Sequence, residues 1–344
     1  MKAVYIEEQG GLEVLQYGER PDPTFGQDEV LVRIHSAALN RLDLNVRSGE
    51  NRVRVAFPRI PGLDMAGEIV EVGVEAMERC NVGDRVVIDP VIRCGYCDFC
   101  VLGQDERCLN TLSMGTGLDG GYAEMARVPA RNVYKIPDWL SFDEAASIPL
   151  AFKTAWRMLV SRAEIQFGED VLVHAAGSGV GSAAIQIARL FGCRTFVTAG
   201  SDWKLEKAQE EWGADFGINY NETDFAEMVL ALTEGEGVDV IIDNVGIDTW
   251  PGSFNSLRRL GRYVVCGVTS GYRGEIHLGQ VFTRGLSIMG IGGWRNAEFA
   301  TIMKLVEQKK LKGVVFQSFP LSDVQDAHAL MESREFYGKI ILNP

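Results

Sequence analysis

What the sequence lacks most plainly is a long apolar run: no stretch is long enough to span a bilayer. Basic charge is short too. Lys and Arg total 34 against 47 Asp and Glu, a formal net charge of -13, which argues against general binding of nucleic acid or of anionic membranes. There is no internal repeat, low-complexity tract or long linker. Histidine is down to four, and His35, His174, His277 and His328 each read as strand or helix residues making one hydrogen bond. Met1 to Ile6 reads as the first strand of a fold and not as a signal peptide. A cytoplasmic chain with reduced cysteines is therefore expected, without membrane or nucleic-acid partners.

What is present is enough chain, 344 residues with 46% hydrophobic and 24% charged, for two domains with a large core. Val171 to Ala188 is the organising stretch. Its apolar start reads as a buried strand, followed by a small-residue turn with glycine at 177, 179 and 181, then an apolar helix. Such a turn lets backbone N–H groups approach a pyrophosphate at the positive end of the helix. A second strand, 194–198, comes next at βαβ spacing. Beyond it, strands at 217–219, 238–242 and 262–267 alternate with helices at 224–232 and 249–257, which argues a doubly wound parallel sheet. A strand at 286–291 reads as the last of that sheet; an amphipathic helix at 298–308 and a terminal strand at 338–342 follow. Residues 1 to about 150 hold short β segments at 30–35, 67–73 and 83–89, the makings of a small barrel.

Cys94, Cys97, Cys100 and Cys108 form a Cys-x2-Cys-x2-Cys-x7-Cys cluster. Four thiolates in so short a span can wrap one tetrahedral ion, and zinc suits a reduced compartment. With every coordination position filled by sulfur, the ion's role is structural. A ferredoxin-type iron–sulfur site is the rival, but its fourth cysteine comes after three residues and precedes proline; here the gap is seven and Leu109 is next. A disulfide pair is the third reading. Cys80, Cys193 and Cys266 read as small apolar residues.

Pro61-Gly62-Leu63-Asp64-Met65-Ala66-Gly67-Glu68-Ile69-Val70-Glu71-Val72-Gly73, then Gly83-Asp84-Arg85-Val86 and the glycine turn, together resemble the medium-chain dehydrogenase/reductase superfamily over the whole chain. The resemblance implies an α/β fold: a GroES-like β-barrel catalytic domain over 1–152 and 291–344 with a zinc lobe at 94–108, and a doubly wound Rossmann domain over 153–290. Zinc alcohol dehydrogenases of this superfamily hold a second, catalytic ion. At the three matching places this chain has Asn40, Leu63 and the segment Pro149 to Thr154. Leucine offers no lone pair and an amide oxygen is a poor zinc ligand, so no catalytic zinc is expected. Asn40, with Ala145-Ala146-Ser147-Ile148-Pro149-Leu150 and Thr154-Ala155-Trp156, resembles the quinone oxidoreductase branch. That resemblance implies an enzyme transferring hydride to an activated C=C or a quinone, with the Asn40 amide donating to the acceptor's oxygen and Asp43 orienting or relaying a proton. Asn40 as a turn cap and Asp43 as a loop acid are the structural alternatives. Alcohol or aldehyde dehydrogenase is the second functional reading, and a non-enzymatic nucleotide-binding protein the third.

An NAD site places an acid at the end of the second strand; matched through the family, that position is Ala199. Ser201 and Lys204 suit a 2′-phosphate, and Tyr220 and Lys339 resemble cofactor-contacting residues of NADPH-using reductases. NADPH is therefore expected, with NADH second. Asp202 either substitutes as the acid or caps the next helix. Thr154, Gly177, Ser178, Gly179, Val180, Gly181, Asn244, Val245 and Gly267 complete the expected cofactor set. Arg41, Arg47, Arg52, Arg54 and Arg59 form either a solvated segment with acidic partners or a recognition site for a substrate carboxylate or phosphate. The apolar strand 286–291, left at a sheet edge, would pair with a second copy, so a homodimer or homotetramer acting on a small molecule is expected.

Overall fold

The structure, a computed structural model, describes residues 1–50 and 53–344. They separate into two compact units, Met1–Leu150 with Arg295–Pro344, and Ala151–Trp294.

In the second unit six strands form one parallel sheet in the order Phe216–Asn219, Arg194–Ala199, Asp170–Val173, Val238–Asp243, Leu257–Val265, Ser287–Gly290. Numbered along the chain this is 3-2-1-4-5-6, the doubly wound Rossmann order. The central strands are buried on both faces, which is why Val171-Leu172-Val173 and Val240-Ile241-Ile242 run apolar without alternation. Leu172, Phe196, Ile218, Ile241 and Tyr263 share one core with Val229 and Phe254 of the covering helices. The helix expected at 249–257 is Trp250–Ser256. A π-helical turn at Arg157–Arg162 has no counterpart in the sequence expectations.

The first unit is built on a seven-stranded sheet, the GroES-like barrel. Its long strand Glu29–Ala38 pairs antiparallel with Asp64–Val72, Met125–Pro129 and the last strand of the chain, Lys339–Asn343. Buried side chains divide between the barrel interior (Val32, Ile34, Met65, Ile69, Val86, Ile88) and a second core (Val4, Ile6, Leu39, Leu44, Ile340, Leu342). Register at the end of the long strand joins three distant parts of the chain. Ala38 lies opposite Asp64 on one side and Ile341 on the other. The residues after Ala38 turn into the helix Arg41–Ser48. Asn40, Asp64 and Lys339, separated by up to about 300 positions, thereby arrive at one place.

Candidate active site and nucleotide crevice

Asn40 holds the N-cap position of the helix Arg41–Ser48, with extended backbone angles (φ -127°, ψ 154°). Its side chain, however, turns to other partners. Asn40 Oδ1 accepts from Lys339 Nζ at 2.6 Å, and Asn40 Nδ2 donates to Asp64 Oδ2 at 3.0 Å. Lys339 Nζ also donates to Asp64 Oδ2 at 3.0 Å, in an ion pair whose side chains are 4% and 0% exposed. The other Asp64 oxygen accepts the Leu150 N–H at 3.1 Å. Lys339, expected at the cofactor from its resemblance, has two acceptors for its ammonium inside the first unit, as a buried cation sits beside its counter-charge.

Asp43, three residues into that helix, is fully buried. Its carboxyl accepts the Asn40 N–H at 2.8 Å and the Gly62 N–H at 3.1 Å. Burial nonetheless pushes it up to about 7, further than these bonds and the nearby Lys339 ammonium can pull it down. Asp43 stands in the first turn of a helix and not in a loop. Behind it stands Tyr122, whose phenol is buried and meets no partner among the described residues. Burial and the Asp43 and Asp64 carboxyls push that phenol up. Its ring is seated by Gly62 (φ +100°), where a Cβ would come within 2.4 Å of Tyr122 Cδ1. Sequence reasoning missed Tyr122, because nothing local marks it.

The histidines are structural. His174 bonds Thr198 Oγ1 at 2.9 Å and Ser253 Oγ at 2.8 Å, one more partner than expected, and burial lowers its pKa. His277 Nδ1 accepts the Gln280 N–H, and His35 stacks on Phe142 at 4.4 Å. His328 is held near 3 by burial and by Arg47, whose Nη1 lies 3.5 Å from His328 Nδ1. Three arginines of the basic segment have acidic partners: Arg47 with Glu332, Arg59 with Asp119 at 3.0 Å, Arg41 with Glu50 at 3.8 Å. Arg54 is exposed, and Arg52 lies outside the described residues.

In the second unit the turn after Asp170–Val173 leads into the helix Gly179–Leu190, capped by Ser178, whose Oγ accepts the Gly181 N–H at 2.9 Å. A Cβ at Gly181 would stand 2.3 Å from Ala175 O, so this glycine is what lets helix and turn close up. Ala175 takes the left-handed conformation (φ 54°) that sequence would have given to a glycine. Asn244 Nδ2 donates to Ser178 Oγ at 2.8 Å, joining the loops of strands 1 and 4, where the strand order reverses. A Cβ at Gly267 would meet Asn244 O at 2.5 Å, and the Val245 N–H donates to Asp243 Oδ1 at 2.6 Å. Gly177, Gly179 and Val180 form the turn and first residues of the capped helix, whose N-terminal N–H groups are the kind of donors a pyrophosphate takes. Thr154 Oγ1 accepts from Trp294 Nε1 at 3.2 Å.

At the end of the second strand Ser201 Oγ is buried and meets no partner among the described residues. Lys204 lies over the Trp203 ring, and Tyr220 is half exposed, its hydroxyl against Gly200. Asp202 is not an N-cap: Ser201 holds that position, and Asp202, the first helical residue, accepts from Asn219 Nδ2 at 2.8 Å. The crevice fits a dinucleotide.

The four clustered sulfur atoms lie within 4.8 Å of one another, with Cys94 Sγ 3.6 Å from Cys108 Sγ and 3.9 Å from Cys100 Sγ. Tetrahedral zinc thiolates require S···S separations of about 3.8 Å. The residues fit a structural zinc ion. It is the one convergence of three or more His, Cys, Asp or Glu ligands among the described residues. Around Asn40 a catalytic zinc does not fit the donor set: Leu63 is an apolar core residue, and the Asn40 and Asp64 oxygens face an ammonium.

Residues 26–138 match the alcohol dehydrogenase GroES-like domain and 179–308 the zinc-binding dehydrogenase domain. The chain belongs to the medium-chain dehydrogenase/reductase superfamily. Its solved relatives include a structure described as an NAD-dependent alcohol dehydrogenase, 40% identical, with a TM-score of 0.94 and full coverage of both chains. The acryloyl-coenzyme A reductase of Sulfurisphaera tokodaii is 29% identical, covering 100% of each chain. The quinone oxidoreductase of Sus scrofa is 30% identical, covering 99% of this chain and 97% of that one. The superfamily is one of NAD(P)-dependent oxidoreductases, and both units, the crevice and the cysteine lobe accord with membership. Among the described residues no helix is long and apolar enough to cross a membrane.

Proposed function

We propose that this medium-chain reductase transfers hydride from NADPH to a C=C bond conjugated to a carbonyl, or to a quinone. The observation that carries the reading is the ammonium between Asn40 and Asp64. An unactivated alcohol needs a Lewis acid on its oxygen, and the donor set here suits a lysine. An enone or quinone brings its own electron-withdrawing group, so fixed hydrogen-bond donors suffice. A bound nicotinamide supplies the hydride. Gly177, Ser178, Gly179, Val180 and Gly181, with Asn244, Val245, Gly267 and Thr154, would bind and orient it. Ser201, Lys204 and Tyr220 would take the 2′-phosphate; the unpartnered Ser201 hydroxyl and the apolar Ala199 support NADPH over NADH. The relatives named acryloyl-coenzyme A reductase and quinone oxidoreductase favour acceptors of this class, and an enoyl thioester falls within it.

The relative named NAD-dependent alcohol dehydrogenase favours a second reading, carbinol oxidation with NAD. Two measurements decide. Nicotinamide oxidation is monitored with a quinone, a simple enone and an enoyl thioester, and NAD reduction with primary alcohols; zinc is counted per chain. Acceptor reduction with one zinc supports the proposal. Alcohol oxidation with two zinc ions overturns it in favour of the second reading. Tight cofactor binding with no turnover of any substrate overturns both.

A further inference from the structure

A donor to the acceptor's oxygen has to come from a side chain with hydrogen to spare, and Asn40 has none. A carboxamide carries two N–H donors and one carbonyl oxygen. Asn40 Nδ2 gives its hydrogens to Asp64 Oδ2 at 3.0 Å and Ala38 O at 3.3 Å, while Oδ1 receives Lys339 Nζ. Charge fixes the orientation of this amide, because an ammonium only donates and a carboxylate only accepts. Lys339 is different. Its ammonium has three N–H donors, and among the described residues two acceptors meet it, Asn40 Oδ1 and Asp64 Oδ2. Its stem leaves the strand Lys339–Asn343, whose residues Ile341 and Leu342 are paired to Ala38 and Ala37, so the charge is held by the sheet. A preorganised, buried cation with one donor in hand is the arrangement that favours a developing oxyanion.

We propose that Lys339 donates this third N–H to the acceptor's carbonyl oxygen and stabilises the negative charge that appears there. The inference rests on the enone or quinone reading of the site. When the β-carbon of an enone gains a hydride, the C=C π pair forms the new α-carbon–carbonyl bond and the carbonyl π pair moves to oxygen. The enolate then takes a proton at the α-carbon from solvent. A quinone ends correspondingly as a hydroquinone anion that solvent protonates. Lys339 keeps its proton throughout and works by charge and hydrogen bond. Asn40 and Asp64 are positioning residues, holding Nζ from two sides.

The test compares Lys339→Met, Lys339→Arg and the double variant Lys339→Met with Asp64→Asn. The double variant removes the unpaired buried carboxylate that the single change leaves, so it covers the case in which Lys339→Met fails to fold. Three quantities are read: kcat over acceptors of graded electron demand, the Kd for NADPH, and the absorption spectrum of 4-nitrophenol bound to the NADP-loaded protein. We expect kcat to fall about 10²–10³-fold for weakly activated enones and less for electron-poor quinones, in both Met variants, with recovery in Lys339→Arg. The NADPH Kd should move less than about threefold. Wild type should bind nitrophenol as its phenolate below the pH at which it ionises in water, and the Met variants as the neutral phenol. The spectrum needs no turnover. A wild type that reduces no enone or quinone yet binds the phenolate through Lys339 therefore refutes the reaction and retains the donor. Neutral phenol in the wild type, full activity in the double variant, or a loss confined to NADPH affinity overturns the inference; the last would make Lys339 a cofactor residue.

Discussion

The Gly62 N–H donates to Asp43 Oδ1 at 3.1 Å, so the barrel's glycine turn and the helix after Asn40 meet on one buried carboxyl. Burial raises that carboxyl from 3.8 to about 7. Between those values the folded chain holds a proton that the unfolded chain has released, so stability falls as pH rises through the window. Asp43→Asn abolishes this titration while losing one acceptor. Relative to the variant, the wild type should lose on the order of 1–3 kcal/mol between about pH 4.5 and pH 8. Denaturant unfolding across that range reads it. A difference that stays constant with pH would show that Asp43 is ionised throughout.

The parts of this protein legible in sequence are those whose physics is local. Continuous apolar runs such as Val171-Leu172-Val173 announce strands buried on both faces, and glycine at 177, 179 and 181 announces the turn between strand and helix. The cysteine lobe is confined to residues 94–108, so its spacing alone suggested the ion. The polar centre was only half legible. Asn40 and Asp43 stood out, but Lys339 reaches them through the pairing of Ile341 with Ala38 and of Ala38 with Asp64. Register of that kind is invisible in a single chain. Tyr122 and Ala175 were missed for a related reason: the close approach of Gly62 to one, and the φ of the other, arise from tertiary packing. Asp202 shows how a side-chain bond to Asn219 can be mistaken for a cap when Ser201 stands just before it.

Cys94, Cys97, Cys100 and Cys108 should hold one zinc ion per chain, counted by emission spectroscopy. Cys108→Ser should reduce that to near zero and cost on the order of a few kcal/mol in stability, since a structural site contributes directly to folding. NADPH affinity should change less than about threefold, because the glycine turn belongs to the other unit. Iron with acid-labile sulfide in the purified protein would replace this account with a cluster.

Ala199 ends the second strand of the parallel sheet where an acid would bind both ribose hydroxyls. Ala199→Asp should therefore favour NADH by repelling a 2′-phosphate. Ser201→Ala should weaken NADPH about tenfold, as one hydrogen bond to a charged group is worth ~1.5 kcal/mol, and leave NADH nearly unaffected. Fluorescence titration of each reduced cofactor measures both. Equal losses for NADH and NADPH in Ser201→Ala would mean the hydroxyl serves the fold or the shared half of the cofactor.

Ser287–Gly290 closes the six-stranded sheet with one neighbour, Leu257–Val265. Ile288 and Gly290 face outward; Arg162 Nε donates to Gly290 O at 3.0 Å, and the Ile288 N–H and C=O lie open among the described residues. Open edges of this kind are templates for another strand. Ile288 is exposed on it, and exposed Leu278 and Phe282 stand on the helix Leu278–Arg284 that leads into it. We propose that two copies pair these edges about a twofold axis, the arrangement that satisfies the same row on both chains at once. Light scattering should find a dimer, or a tetramer built from it. Ile288→Pro should shift the protein toward monomer, because the Ile288 N–H faces away from Leu257–Val265 and proline removes that outer donor while its ring resists pairing. Ile288→Lys should do the same by placing like charges opposite each other. A wild-type monomer at micromolar concentration, or an Ile288→Pro variant whose mass is unchanged, would place the self-association elsewhere or dispose of it.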